Sequence, residues 1–173
     1  MFAHRDDVTV SSANWSGYAA TGSTGAHTSV TSSWTQPTVT CSSATTYSSF
    51  WVGLDGYSNS ALEQTGTEAE CIGGKATYGA WWEVLPASES AYSGVTVKGG
   101  DKFTATVTYT GSTFTMTLAD FGTVTFTGAK ANGSYLDTYS PNEIVMTKSS
   151  SSAVRAQPGS ISGGSFADVW KAG

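Results

Sequence analysis

The chain has 173 residues, 39% hydrophobic and only 12% charged, with a formal charge of -5 and a pI of about 4.8. That is about one domain's length and enough to bury a core, while the charged share is roughly half the usual one, so solubility rests on Ser, Thr, Asn and Gly. An acidic surface repels phosphate backbones and no stretch is apolar enough to span a bilayer, which sets aside nucleic acid and membrane as partners.

The first residues, MFAHRDDVTVSS, lack the apolar core of a signal peptide. Residues 8–20 begin with alternation and pass into a Trp-Ser-Gly turn. Asn14 and Asn132 both stand in glycosylation sequons, and Asn14 reads better as a side chain capping a turn beside a packed Trp. Residues 29–40 predict a strand holding Trp34 and interrupted by Pro37. SFWVGLDG follows as a strand covered on both faces, then a turn at 56–59. In ALEQTGTEAE, Leu62 and Gln64 share a parity and so a face. In KATYGAWWEVLP, Tyr78, Ala80, Trp82 and Val84 take one face and Thr77, Gly79, Trp81 and Glu83 the other. The cleanest pattern runs from 95 to 118, where Phe103, Ala105, Val107 and Tyr109, then Phe114, Met116 and Leu118, alternate with Thr in a β-hairpin. Short strands are expected again in DFGTVTFTGA through Val124 and Phe126, at EIVMTK, and at the end through Phe166, Val169 and Trp170.

No segment has helical periodicity. About ten strands joined by turns predict an all-β fold, a two-sheet antiparallel sandwich forming a single domain over 1–173. The two cysteines, Cys41 and Cys71, flank residues 51–64. A disulfide is favoured over two free thiols and would place the protein outside the cell, whereas two His and no paired-Cys spacing make a poor metal site.

Residues 50–83 concentrate the chemistry: Trp51, Asp55, Gln64, Glu68, Trp81 and Glu83. A Gly-rich phosphate loop and a Gly-x-Ser-x-Gly elbow are both lacking, and His4 and His27 are poorly placed for a Ser-His-Asp triad. What remains is carboxylate and amide chemistry between flat indole walls. Two carboxylates could hydrolyse a glycoside. A carboxylate and an amide donor could hydrolyse a peptide, one activating water and the other stabilising the oxyanion. A sandwich that only binds its ligand through the same residues is the alternative.

NWSGY (14–18), FWVGLDG (50–56), LEQTGTEAEC (62–71), YGAWWEVLP (78–86) and ADFGTVTFTGA (119–129) occur in this order and resemble the eqolisin, or glutamic peptidase, family, in particular its bacterial members. The resemblance implies a lectin-like, jelly-roll type β-sandwich and an acid endopeptidase working with a Gln/Glu dyad on polypeptide. No cofactor, a secreted location and a monomeric state are expected beside it. It implies a catalytic role for Gln64 and substrate contacts for Trp51, Asp55, Glu68, Trp81 and Glu83.

One departure bears on activity. The family's catalytic Glu lies in a segment just upstream of the Ala-Asp-Phe-Gly motif, and here Leu118 runs straight into Ala119-Asp120-Phe121-Gly122, with no Glu between Glu89 and Glu143. Loss of that segment would take strands with it and open the sheet. The expectation is an impaired glutamic peptidase, one in which Glu83 or Glu68 has taken the base role, or a non-catalytic peptide- or carbohydrate-binding sandwich.

Overall fold

The computed structural model describes residues 9–119, 122–127, 141–147, 151, 153–159 and 168–170. The Asn132 sequon, the Asp120–Phe121 pair and Phe166 lie outside these, as do the side chains of Glu143, Val169 and Trp170. The described residues contain strands and no helix, and they gather into two compact units.

The first unit draws on Met1–Ala26 and Ser134–Gly173. Its strands are β1 (Thr9–Ser12), β2 (Gly17–Ala20), β11 (Pro141–Thr147), β12 (Val154–Pro158) and β13 (Asp168–Trp170), in one five-stranded sheet. β2 pairs antiparallel with the first half of β11, while β1 runs parallel to β11 from Glu143 to Met146. Residues far apart in the chain form that parallel pair, so local alternation carries no trace of it. Between β1 and β2, Ser12 Oγ accepts from the N–H groups of Asn14 and Trp15 and donates to Asn14 Oδ1 at 2.9 Å, so the capping side chain of this turn is Ser12 and not the expected Asn14.

The second unit, His27–Gly133, is a sandwich of two four-stranded antiparallel sheets. One has the order β10-β9-β8-β3, built from β3 (Ser29–Thr35), β8 (Lys102–Tyr109), β9 (Thr113–Leu118) and β10 (Gly122–Thr127). The other has the order β4-β5-β6-β7, built from β4 (Thr46–Asp55), β5 (Leu62–Ile72), β6 (Lys75–Val84) and β7 (Ser90–Ala91). β4 and β5 lie against β8, and β5 also lies against β9.

Alternation sorts the first of these sheets cleanly. Phe103, Ala105, Val107, Phe114, Met116 and Leu118 are at most 2% exposed, and the Thr residues between them face outward. On that outer face Ser29, Thr31 and Ser33 of β3 pair hydroxyl to hydroxyl with Thr108, Thr106 and Thr104 of β8. β8 begins only at Lys102, because Lys98–Asp101 closes as a turn in which Lys98 N–H donates to Asp101 Oδ2 at 3.0 Å. Across the sandwich, Trp34 Nε1 donates to Thr67 Oγ1 at 2.8 Å, and the Trp34 ring stacks on Phe103.

The second sheet carries the longer strands. Gly73 and Gly74, both with positive φ, form the two-residue turn between β5 and β6, a conformation that glycine adopts without strain. The Cys41–Cys71 disulfide forms as expected, with Cα atoms 5.4 Å apart, and ties the loop before β4 to the end of β5. Its sequence separation of 30 implies a contribution of about 3–4 kcal/mol. Replacing both cysteines by Ser is expected to lower the unfolding free energy by about that amount, read from denaturant midpoints against the parent.

Candidate active site

The site is built on the face of β5 that points away from the core. Glu63, Thr65, Thr67, Ala69 and Cys71 are buried between the sheets, so Leu62, Gln64, Gly66, Glu68 and Glu70 occupy the opposite face. Register extends that face across three strands. Gln64 lies between Gly53 of β4 and Glu83 of β6. One step along, Gly66 lies between Trp51 and Trp81, and the next row is Ser49, Glu68 and Gly79.

The closest contact in this array joins the middle pair. Gln64 Nε2 donates to Glu83 Oε2 at 2.6 Å, a short hydrogen bond. The bond engages one N–H of the Gln64 amide and one Glu83 oxygen, and both side chains are half-buried. Gly53, lacking a side chain, sits on the other side of Gln64, where even a Cβ would come within 3.1 Å of Gln64 Cβ.

Glu68 lies across β6. A Cβ on Gly79 would stand 2.7 Å from Glu68 Oε1, so that glycine clears the space which the carboxyl occupies. Burial, then the charges of Glu89 and Glu70, push the Glu68 carboxyl above the ordinary carboxylate range. Partial burial, then Glu83 and Glu70, push Glu89 up in the same way. Glu68, Glu70, Glu83 and Glu89 therefore share one negative field beside Gln64. Among the described residues no group of His, Cys, Asp and Glu is arranged to hold a metal ion.

Trp81 belongs to this face by register, yet it is only 4% exposed. It is therefore a buried floor and not the open wall that its sequence context suggests, and its indole N–H makes no hydrogen bond among the described residues. Trp51, half-buried, flanks Gly66 from the β4 side.

Asp55 departs from the strand pattern. It ends β4 with φ 68°, a left-handed conformation that Asp tolerates better than most residues. Asn59 Nδ2 donates to Asp55 Oδ1 at 2.8 Å, and Asn59 Oδ1 accepts from the N–H groups of Gly56 and Ala61. Asp55 is thus built into the β4–β5 turn, where it also meets Glu63. Sequence reasoning overlooked Glu63, although it falls on the parity of Thr65, Thr67 and Ala69 and so on the buried face. Glu63 is 1% exposed. Burial, then the Asp55 charge and a hydrogen bond with Asp55, push its carboxyl up to about 8. Glu70 and Glu89 were overlooked too. Glu70 shares the parity of Gln64 and Glu68, whereas Glu89 reaches the face from the loop after β6 and leaves no periodic signal.

Comparison with known proteins places the chain in a family. The model of the Peptidase A4 family matches residues 13–118, more than half of the chain and all of β2 to β9. A crystal structure of scytalido-glutamic peptidase with a transition state analog inhibitor is 29% identical, with a TM-score of 0.57 over 73% of this chain and 61% of that one. A second structure of that peptidase, with a peptide-based transition state analog, is 26% identical, with a TM-score of 0.56 over 75% and 61%. SCP-B, described as a member of the eqolisin family in complex with the tripeptide Ala-Ile-His, is 26% identical, with a TM-score of 0.51 over 75% and 60%. This chain thus spans about three fifths of the length of these solved relatives. No curated protein matches it. The family match and the solved relatives agree with the strand order and motifs of the sequence: the chain belongs to the Peptidase A4 family, the eqolisins.

Proposed function

We propose that this chain is a glutamic-type endopeptidase of low turnover, with Gln64 and Glu83 as its working pair. The observation that carries this reading is the 2.6 Å hydrogen bond from the Gln64 amide to the Glu83 carboxyl. Glu83 takes the proton from a water whose oxygen attacks the peptide carbonyl carbon. The second N–H of Gln64 stabilises the oxygen on which negative charge develops. The proton then passes to the leaving nitrogen as the C–N bond breaks. Low turnover follows from Glu83 having two tasks. In holding Gln64 it gives up one oxygen, where the family supplies a separate Glu from the segment lacking here.

Trp51 and Glu68 are read as contacts for an extended polypeptide crossing β4, β5 and β6, Trp81 as the buried floor beneath it, and Asp55 as support for the turn beside them. The reading includes no cofactor, a monomeric state and an acidic setting. Raised carboxyls favour that setting. A carboxyl whose titration is pushed up in the folded state adds stability that is full below the ordinary carboxylate range and lost as pH rises through the raised value, which holds for Glu63, Glu68 and Glu89. The disulfide supports a location outside the cell.

The absent segment favours a second reading, peptide binding without turnover. Incubation with a denatured protein at pH 3–4 separates the two. Slow cleavage that is lost in Gln64→Ala supports the peptidase. Retention of peptide with no cleavage supports the binder.

A further inference from the structure

We propose that Glu63 is a positioning residue for Gln64: it shares one proton with Asp55, and this shared proton fastens the end of β4 to β5 beside the working amide. The proposal rests on Gln64 being that amide. Glu63 directly precedes Gln64 in β5 and points the opposite way, into the sandwich, at 1% exposure. Its register partners are Leu54 and Val84, neither of whose side chains can bond a carboxyl. The Glu63 carboxyl therefore depends on Asp55, whose left-handed backbone turns it off the path of β4. On its far side Asp55 is held by Asn59.

Two acids can share a hydrogen bond only if one is protonated, and burial assigns the proton to Glu63, whose carboxyl is pushed up to about 8. Glu63 Oε2 is buried and has no partner among the described residues, so ionisation would leave an uncompensated charge there. Among the described residues no charge on a strand packed against β5 takes the place of Asp55, and Tyr92, from the segment after β7, meets that buried face as a hydroxyl bonded to Thr65 Oγ1 at 3.0 Å. Of the strands packed against β5, β4 otherwise offers Tyr47 at its far end. β6 offers Glu83 on the opposite face, with Tyr78 and Lys75 further along. β8 offers Lys102 and Tyr109, and β9 offers no titratable group. Asp55 is the charge that bears on Glu63.

In this arrangement the proton is a fastener. Present, it joins the end of β4 to the strand that carries Gln64. Lost, it sets two carboxylates against each other at the closed end of the hairpin, with the second buried. The sign follows from the raised titration: the fastening is complete at acid pH and fails as pH rises through the midpoint of Glu63.

The test uses the full chain and does not require hydrolysis. Thermal unfolding is followed from pH 4 to pH 9 in the parent and in Glu63→Gln, which keeps a donor toward Asp55 and cannot ionise. The side-chain amide signals of Gln64 are followed by NMR over the same range. The parent is expected to lose roughly ten- to a hundredfold more of its folding equilibrium constant between pH 5 and pH 9 than Glu63→Gln loses. Its Gln64 amide signals are expected to move with the same midpoint and to stay still in the variant. Equal pH dependence in the two proteins overturns the proposal, as do Gln64 signals that ignore the transition. Should Glu63→Gln not fold, Asp55→Asn replaces it. Removing the neighbouring charge must lower the midpoint, and an unmoved midpoint overturns the proposal. A chain without peptidase activity still gives these results, so failure of the proposed function and failure of this inference are distinguishable.

Discussion

Glu83→Gln is expected to slow cleavage of a denatured protein at acid pH by about a hundred- to ten-thousand-fold, the usual loss when a general base is removed. The substitution keeps the size of the side chain and an oxygen that can accept from Gln64 Nε2, so the amide remains where the 2.6 Å bond holds it. Only the capacity to take a proton from water is lost. The decrease should therefore fall on kcat and leave KM within a few-fold, as expected when a transition-state interaction is removed. Glu68→Gln is the informative control. Glu68 shares the face and the negative field, but it lies over Gly79, one row beyond Trp81, and is not bonded to Gln64. Were Glu68 the base, the two variants would exchange their phenotypes. Steady-state rates on one peptide, measured for both variants beside the parent, decide the matter.

Gly66→Ala is expected to destabilise the fold by about 3 kcal/mol or more, at the upper end of overpacking effects. A Cβ at this position would run into the backbone carbonyl oxygen of Phe50 and would stand 2.8 Å and 2.9 Å from Trp51 Cβ and Cα. Two of these atoms are backbone, so no side-chain rotation relieves the clash and β4 must move away from β5. The ladder that places Gly53 and Trp51 beside Gln64 then breaks. Gly79→Ala is expected to behave differently. Its nearest obstacle is Glu68 Oε1, the end of a flexible side chain, so the carboxyl swings aside at little cost. Denaturant unfolding of the two variants should show a large loss for the first and a small one for the second.

Much of the site was legible from strand parity alone. Trp81 and Glu83, two apart, had to share a face, as did Gln64 and Glu68, and the structure places all four on one face of the β4-β5-β6-β7 sheet. The pairing of Gln64 with Glu83 needed register as well as parity, and the signal for it was present in Gly73–Gly74. A two-residue turn sets Ile72 opposite Lys75, and eight steps back along each strand bring Gln64 opposite Glu83. Glu63 was legible in the same way, as a carboxyl on the parity of buried threonines.

Other features had no local signature. Asp55 sits in a hydrophobic run that reads as a strand continuing into the cleft, while its left-handed backbone goes with a bond from Asn59 that lies four residues on, in the turn. The parallel pairing of β1 with β11 joins residues more than 130 positions apart, a distance over which alternation carries no information. Trp81 looks from its sequence context like a stacking wall, and its burial depends on how β7 and the following loop fold back onto β6.

The central claim is that Gln64 and Glu83 act as one unit, and a double-mutant cycle on peptide cleavage at acid pH tests it most directly. Groups that work together in one step lose most of their effect when either is removed, so their substitutions do not multiply. Gln64→Ala and Glu83→Gln are each expected to remove nearly all activity, and their combination to lower the rate by less than about threefold beyond the worse single variant. Effects that multiply, a Glu83→Gln protein as active as its parent, or a parent that cleaves nothing would contradict it.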